Sequence, residues 1–274
     1  MPLSRRRAVV VAGAAALAAA AATGTAAWQF AQGHQPTSST LAPSAQGASA
    51  TPHEPDEPGG ETLLRAGARV LFQGDSVTDA RRDRADLRPN TPQGLGEGYA
   101  WLVAGAALAE RPDDGLQFFN RGLSGNVTAD LLARWDQDTI ALAPDVVSVL
   151  VGINDYWNRH RVSGYVGSPD TYHFELAQLI TRTREALPGA AMVICEPFVL
   201  PAGPVTPVWV REFADYQQAA ADLAQVHGLR LVGFQAALDE ALEREPATHW
   251  LYDGVHPTAE GAQLLAREWA RALR

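Results

Sequence analysis

From Glu61 onward the chain alternates short apolar runs with longer amphipathic stretches. Five runs read as strands: Val70–Gln73, Gln117–Asn120, Val146–Val151, Met192–Cys195 and Leu229–Val232. Six stretches carry helical spacing: Tyr99–Glu110, Thr128–Ile140, Phe174–Leu187, Val208–Val226, Gln235–Glu243 and Ala259–Leu273. The run from Val146 to Val151 is apolar except for one serine, which predicts a central strand buried on both faces. Strand and helix alternate throughout, so the expected class is α/β, a three-layer αβα sandwich around a mostly parallel five-stranded sheet. In such a sheet ligands bind at the carboxyl ends of strands, so functional residues should lie just after them.

The first sixty residues break the pattern. A basic start, Ser4-Arg5-Arg6-Arg7, precedes an uncharged alanine- and valine-rich stretch from Ala8 to Ala22, closed by Thr25-Ala26-Ala27. That is the layout of an export signal, with an arginine pair of the twin-arginine kind. We expect a signal over residues 1–31, a Ser/Pro/Ala-rich linker over 32–60 and one catalytic domain over 61–274. The expected destination is outside the cell, with an uncleaved membrane anchor as the alternative. No cysteine stands directly after the apolar stretch, so a lipoprotein is not expected.

Charge narrows the partners. The net charge is −9, and all 22 basic residues are arginine. An acidic chain is poorly suited to phosphate backbones or anionic membranes, so neither nucleic acid nor a stable membrane partner is expected. The single cysteine, Cys195, lies in an apolar run and reads as a buried, inert thiol.

Four segments carry chemistry. Gly74-Asp75-Ser76 ends the first strand, where a tight turn would lift a serine hydroxyl out of the sheet. Asn120-Arg121-Gly122-Leu123-Ser124-Gly125-Asn126 follows the second strand, with glycines that let backbone N–H groups face a ligand. Gly152-Ile153-Asn154-Asp155 follows the third and offers an amide donor to a developing negative charge, or else a helix cap. Asp253-Gly254-Val255-His256 precedes the last helix, so Asp253 can hold one imidazole nitrogen while the other faces Ser76. Asp170-Thr171-Tyr172-His173 repeats that spacing, but Asp170 reads as the N-cap of Phe174–Leu187. His256 is therefore preferred. Gly94-Leu95-Gly96-Glu97-Gly98 follows no strand and reads as a mobile loop, not as a dinucleotide fingerprint. No zinc-binding pattern is present, and no metal or other cofactor is expected.

Taken in order, the four blocks resemble those of the SGNH, or GDSL, hydrolase family over residues 68–270. In detail they are closest to its acetylxylan esterase members, through Leu71-Phe72-Gln73-Gly74-Asp75-Ser76-Val77-Thr78-Asp79, Gly94-Leu95-Gly96-Glu97-Gly98-Tyr99, Ala133-Arg134-Trp135 and Gly152-Ile153-Asn154-Asp155 followed by Trp157. The resemblance implies the flavodoxin-like SGNH fold and a serine esterase that needs no metal, and the export pattern makes secretion the expectation. It implies Ser76 as nucleophile, His256 as general base and then acid, and Asp253 as its orienting carboxylate. The oxyanion hole would comprise the N–H groups of Ser76 and Gly125 and the Asn154 side chain. Asp75 and Trp157 would face substrate, although Trp157 is equally consistent with simple packing. The expected partner is an ester, an acetylated carbohydrate such as xylan, and an oligomer is compatible with the chain. The alternatives are a lipid esterase or lysophospholipase, and a non-catalytic glycan-binding module on the same fold.

Overall fold

A computed structural model describes residues 63–273. The expected signal and linker lie outside the described residues. Strand β1 (Arg69–Gly74) leads to two single helical turns, α1 (Ser76–Asp79) and α2 (Pro92–Leu95), and then to α3 (Tyr99–Glu110). Strand β2 (Gln117–Asn120) leads to α4 (Thr128–Asp138), and β3 (Val146–Leu150) to α5 (Ile153–Arg161) and α6 (Pro169–Ala186). Strand β4 (Ala191–Cys195) precedes α7 (Pro207–Val226); β5 (Arg230–Val232) precedes α8 (Phe234–Ala241), α9 (Ala247–Trp250) and α10 (Ala259–Ala272).

The sheet has the order β2-β1-β3-β4-β5, and every pairing is parallel. The chain steps from β1 to one side and then returns past it to the other. With right-handed crossovers, α3 must then lie on the opposite face from α4, α6 and α7. Side chains of β1 bear this out by alternation. Phe72 meets Tyr99 of α3 and Trp269 of α10, whereas its neighbour Gln73 receives a hydrogen bond from Arg134 of α4 and donates one to Thr139. The reversal of direction between β1 and β3 opens a crevice at their carboxyl ends, and both the serine and the asparagine segments emerge there.

Both faces of β3 are covered, as expected: all five of its residues are buried. Its one polar side chain, Ser148, is satisfied by Trp269 Nε1–H at 2.9 Å and pairs with Cys195 Sγ at 3.3 Å. Cys195 is buried, and burial pushes its thiol up to about 12, as suits an inert position. Trp135 is fully buried and donates its indole N–H to Thr183.

Two local expectations are corrected, and one helix is added. The N-cap of α6 is Ser168 and not Asp170: Ser168 accepts from the Thr171 N–H, and Pro169 takes the first helical position. Asp170 thus sits in the first turn, and His173 lies on the exposed side of the helix. The Gly94–Gly98 segment is not a free loop. It begins as α2, capped by Thr91, and Leu95 is fully buried. A helix, α5, also occupies Ile153–Arg161, which the sequence reading did not assign to any element.

Candidate active site

The site starts where β1 ends. A Cβ on Gly74 would stand 2.2 Å from the Leu150 carbonyl oxygen of β3 and 2.5 Å from Thr78 Oγ1, so only glycine fits. This close approach lets the chain turn at once into α1, with Ser76 as its first residue. Asp75 caps that turn by accepting from the Val77 N–H at 3.0 Å.

At the other end of the chain, the segment before α10 folds back on itself. Asp253 Oδ1 accepts from the N–H groups of Val255 and His256, and its Oδ2 lies 2.7 Å from His256 Nδ1. His256 Nε2 lies 2.8 Å from Ser76 Oγ. Burial works against the Asp253 carboxylate, but the bonds from the His256 backbone, the His256 ring and Val255 outweigh it and lower its pKa. The charged carboxylate accepts a hydrogen bond from Nδ1–H, which keeps the proton on that nitrogen and leaves Nε2 an acceptor toward the serine hydroxyl. A serine so placed can pass its proton to the imidazole as it attacks a carbonyl carbon.

The loop after β2 borders the same place. Gly125 has a left-handed φ of +86°, is exposed, and has open space where a Cβ would be. Ser124, beside it, lines the cleft with Ser76 and His256. The loop is held from both sides. Asp79, at the end of α1, accepts from the Ser124 N–H at 2.8 Å and its hydroxyl at 2.7 Å, and also pairs with Arg84. From α4, Arg134 donates to Asn126 Oδ1, the Arg121 carbonyl and Gln73 Oε1. Asn154, in the first turn of α5, gives one amide hydrogen to the Asn126 carbonyl at 3.1 Å. Its second amide hydrogen remains for a ligand.

Ser76, His256 and Asp253 are thus brought together, and the Gly125 loop and Asn154 are joined to each other beside them. Of the two substrate-facing expectations, that for Asp75 is corrected by its burial. Asp75 is 1% exposed and turned inward. Its carboxyl is pushed up to about 7 by burial, against the Val77 hydrogen bond and the charge of His256. Trp157 packs edge-on against Trp209 at 5.2 Å and carries Arg161 over its ring, which is the packing alternative for this residue. Sequence reading passed over Tyr252. It is 60% exposed and its ring lies nearly parallel to His256, 16° apart, at 5.7 Å. The cleft here is about 550 Å³, a size suited to a small organic ligand.

Chemistry of this kind, on a parallel sheet flanked by helices, places the chain among the carboxylic ester hydrolases. Comparison with known proteins narrows the class: the chain belongs to the GDSL-like lipase/acylhydrolase family, whose model matches residues 72–264. It is similar to an acetylxylan esterase of Geobacillus stearothermophilus, 32% identical over 213 residues, which covers 77% of this chain and 95% of the relative. The solved structure of the acetylxylan esterase Axe2 from that organism superposes with a TM-score of 0.71 at 31% identity, covering 77% of this chain and 96% of Axe2. A candidate GDSL-like lipase from Parabacteroides merdae superposes with a TM-score of 0.74 at 38% identity, over 77% of this chain and 98% of that one.

Proposed function

We propose that this ester hydrolase is a secreted serine esterase that removes O-acetyl groups from xylan or related carbohydrates. The observation that carries the serine mechanism is the continuous hydrogen-bonded line from Ser76 through His256 to Asp253, at 2.8 and 2.7 Å. Ser76 attacks the acetyl carbon, and His256 takes the serine proton and delivers it to the departing sugar oxygen. Water then hydrolyses the acyl-enzyme with His256 again as base. Asp253 holds the ring and stabilises its charged form. The N–H groups of Ser76 and Gly125 and the free Asn154 amide hydrogen stabilise the oxyanion, because fixed donors need no reorganisation as charge develops.

The acetylated-carbohydrate reading is supported by the acetylxylan esterase relatives. The N-terminal export pattern supports a polymeric substrate met outside the cell. The test is acetate release from acetylated xylan by the purified protein and by its Ser76→Ala variant. Release that is lost in the variant is expected. Cleavage of p-nitrophenyl acetate with no release from xylan would move the search to lipid or other esters.

A further inference from the structure

The glycine-rich segment at Gly94–Gly98 is absorbed by neither the triad nor the oxyanion loop, yet the structure gives it a specific task. It packs against the backbone turn that follows α1. The Glu97 N–H donates to the Ala80 carbonyl at 2.8 Å. A Cβ on Gly96 would stand 2.7 Å from that same carbonyl oxygen, and one on Gly98 would stand 2.6 Å from the Ala80 Cβ. Only glycines allow this approach. The turn itself is unusual, because Ala80 and Arg81 both hold left-handed φ values, +41° and +61°, without being glycine. Such conformations persist where the surroundings impose them, and they concentrate at ligand-binding positions.

The result is a saddle that sets Arg81 beside Glu97, with side chains 3.5 Å apart and 85% and 72% exposed. An exposed pair of this kind contributes little to stability, so it does not explain the arrangement. The saddle separates two hollows and lines both. On one side is the cleft of about 550 Å³ that contains Ser76, His256 and Tyr252. On the other is a second hollow of about 470 Å³, lined also by Asp83, Gln93 and the partly buried Trp101. The two hollows therefore adjoin across Arg81 and Glu97, which line both. Their walls combine the donors of Arg81 and Gln93 and the acceptors of Glu97 and Asp83 with one aromatic ring in each hollow, Tyr252 in the first and Trp101 in the second. Hydroxyl-rich rings with apolar faces match that combination, whereas an acyl chain offers hydrogen-bond partners to none of these polar groups.

We propose that this second hollow is a glycan subsite, in which Arg81, Glu97, Gln93 and Trp101 hold the sugar residues next to the acetylated one. The proposal rests on the carbohydrate reading above and extends it from a single acetylated sugar to a chain. Neighbouring sugars bound here would anchor the ester over Ser76, and the benefit would appear as affinity that grows with chain length.

The experiment compares kcat/KM for a mono-O-acetylated methyl xyloside with that for mono-O-acetylated xylotetraose, in the wild type and in the double variant Gln93→Ala, Glu97→Gln. Hydrolysis of p-nitrophenyl acetate by each sample reports whether the ester site is assembled. The wild type should prefer the tetrasaccharide by about tenfold or more, mainly through KM, as expected for loss or gain of hydrogen bonds to charged groups. The double variant should show a preference near one. A preference that survives in the variant, or is absent in the wild type while both sugars are deacetylated, overturns the subsite and leaves the carbohydrate reading standing. Failure to deacetylate either sugar, with p-nitrophenyl acetate still cleaved, overturns the carbohydrate reading and the subsite with it.

Discussion

Replacing Asp155 by asparagine should stabilise this enzyme at alkaline pH and leave it nearly unchanged at acid pH. Asp155 is 1% exposed and lies in the first turn of α5. Its two oxygens accept from the Thr128 N–H at 3.1 and 3.2 Å, tying α5 to the start of α4. Burial dominates its ionisation and pushes its carboxyl up to about 7; the Thr128 bonds oppose this, and the charges of Glu175 and Asp75 reinforce it. In the unfolded chain the same group titrates near 3.9. Between those values the folded protein retains a proton that the unfolded chain has released. Unfolding free energy therefore falls as pH rises from about 4 to about 7, and the loss is complete above that. A separation of about three pH units corresponds to about 4 kcal/mol at 1.4 kcal/mol per unit.

Asparagine keeps the size of the side chain and an acceptor for Thr128, and it has no charge to bury. Urea unfolding at pH 4.0, 5.5 and 8.0 gives the difference directly. The variant should match the wild type at pH 4.0 and exceed it by about 2–4 kcal/mol at pH 8.0. A difference independent of pH, or a variant less stable at pH 8.0 than at pH 4.0 relative to wild type, would refute the buried-carboxyl account.

Three further outcomes follow from the site and its supports. Asn154→Ala should lower kcat by roughly 10²–10³ with little change in KM, since the amide acts on charge present only in the transition state; unchanged kcat in steady-state assays would remove it from the oxyanion hole. Gly74→Ala places a Cβ 2.2 Å from the Leu150 carbonyl oxygen, which belongs to backbone and cannot swing away. It should cost about 1–3 kcal/mol or more in urea unfolding, and wild-type stability would contradict the close approach. His173→Ala should leave turnover intact, because that ring is exposed on α6; an inactive, folded variant would mean that the wrong histidine was chosen.

The five strands and six long helices were legible because each is an apolar run or an amphipathic stretch bounded by glycine, proline or a capping residue. The site blocks were legible for a related reason: each interrupts the pattern just after a strand or before a helix. Helix α5 was not, since Ile153–Arg161 buries only Ile153, Asp155 and Tyr156, and its N-cap is Gly152, which makes no side-chain cap. The turns α1, α2 and α9 have four residues each, too few for any period to register. Asp75 looked like a surface residue beside a reactive serine; its burial comes from the approach of β1 to β3, which no local pattern encodes. The position of Tyr252 was equally hidden. Its N–H donates to the His256 carbonyl at 3.0 Å, and that backbone bond closes the Asp253–His256 turn with the tyrosine ring stacked on the imidazole.

Two aspartates near the same imidazole are driven in opposite directions, and that separation assigns their roles. Burial raises Asp75 to about 7, with one N–H from Val77 to stabilise its charge. Asp253 is also penalised by burial, but three N–H groups, two from backbone and one from His256 itself, bring it below the usual carboxylate range. At neutral pH Asp253 is therefore a fixed anion bonded to the ring, whereas Asp75 is partly protonated and makes its hydrogen bond elsewhere. The negative charge that stabilises the imidazolium during acyl transfer belongs to Asp253. Asp253→Asn should thus lower kcat by about 10⁴, the usual result when the carboxylate of such a triad is neutralised. Asp75→Asn keeps the acceptor for Val77 and removes a charge that is only partly present, so its effect on kcat at pH 7 should be much smaller. Equal losses in the two folded variants, measured on the same ester, would show that Asp75 carries an obligatory charge and that burial does not separate the pair.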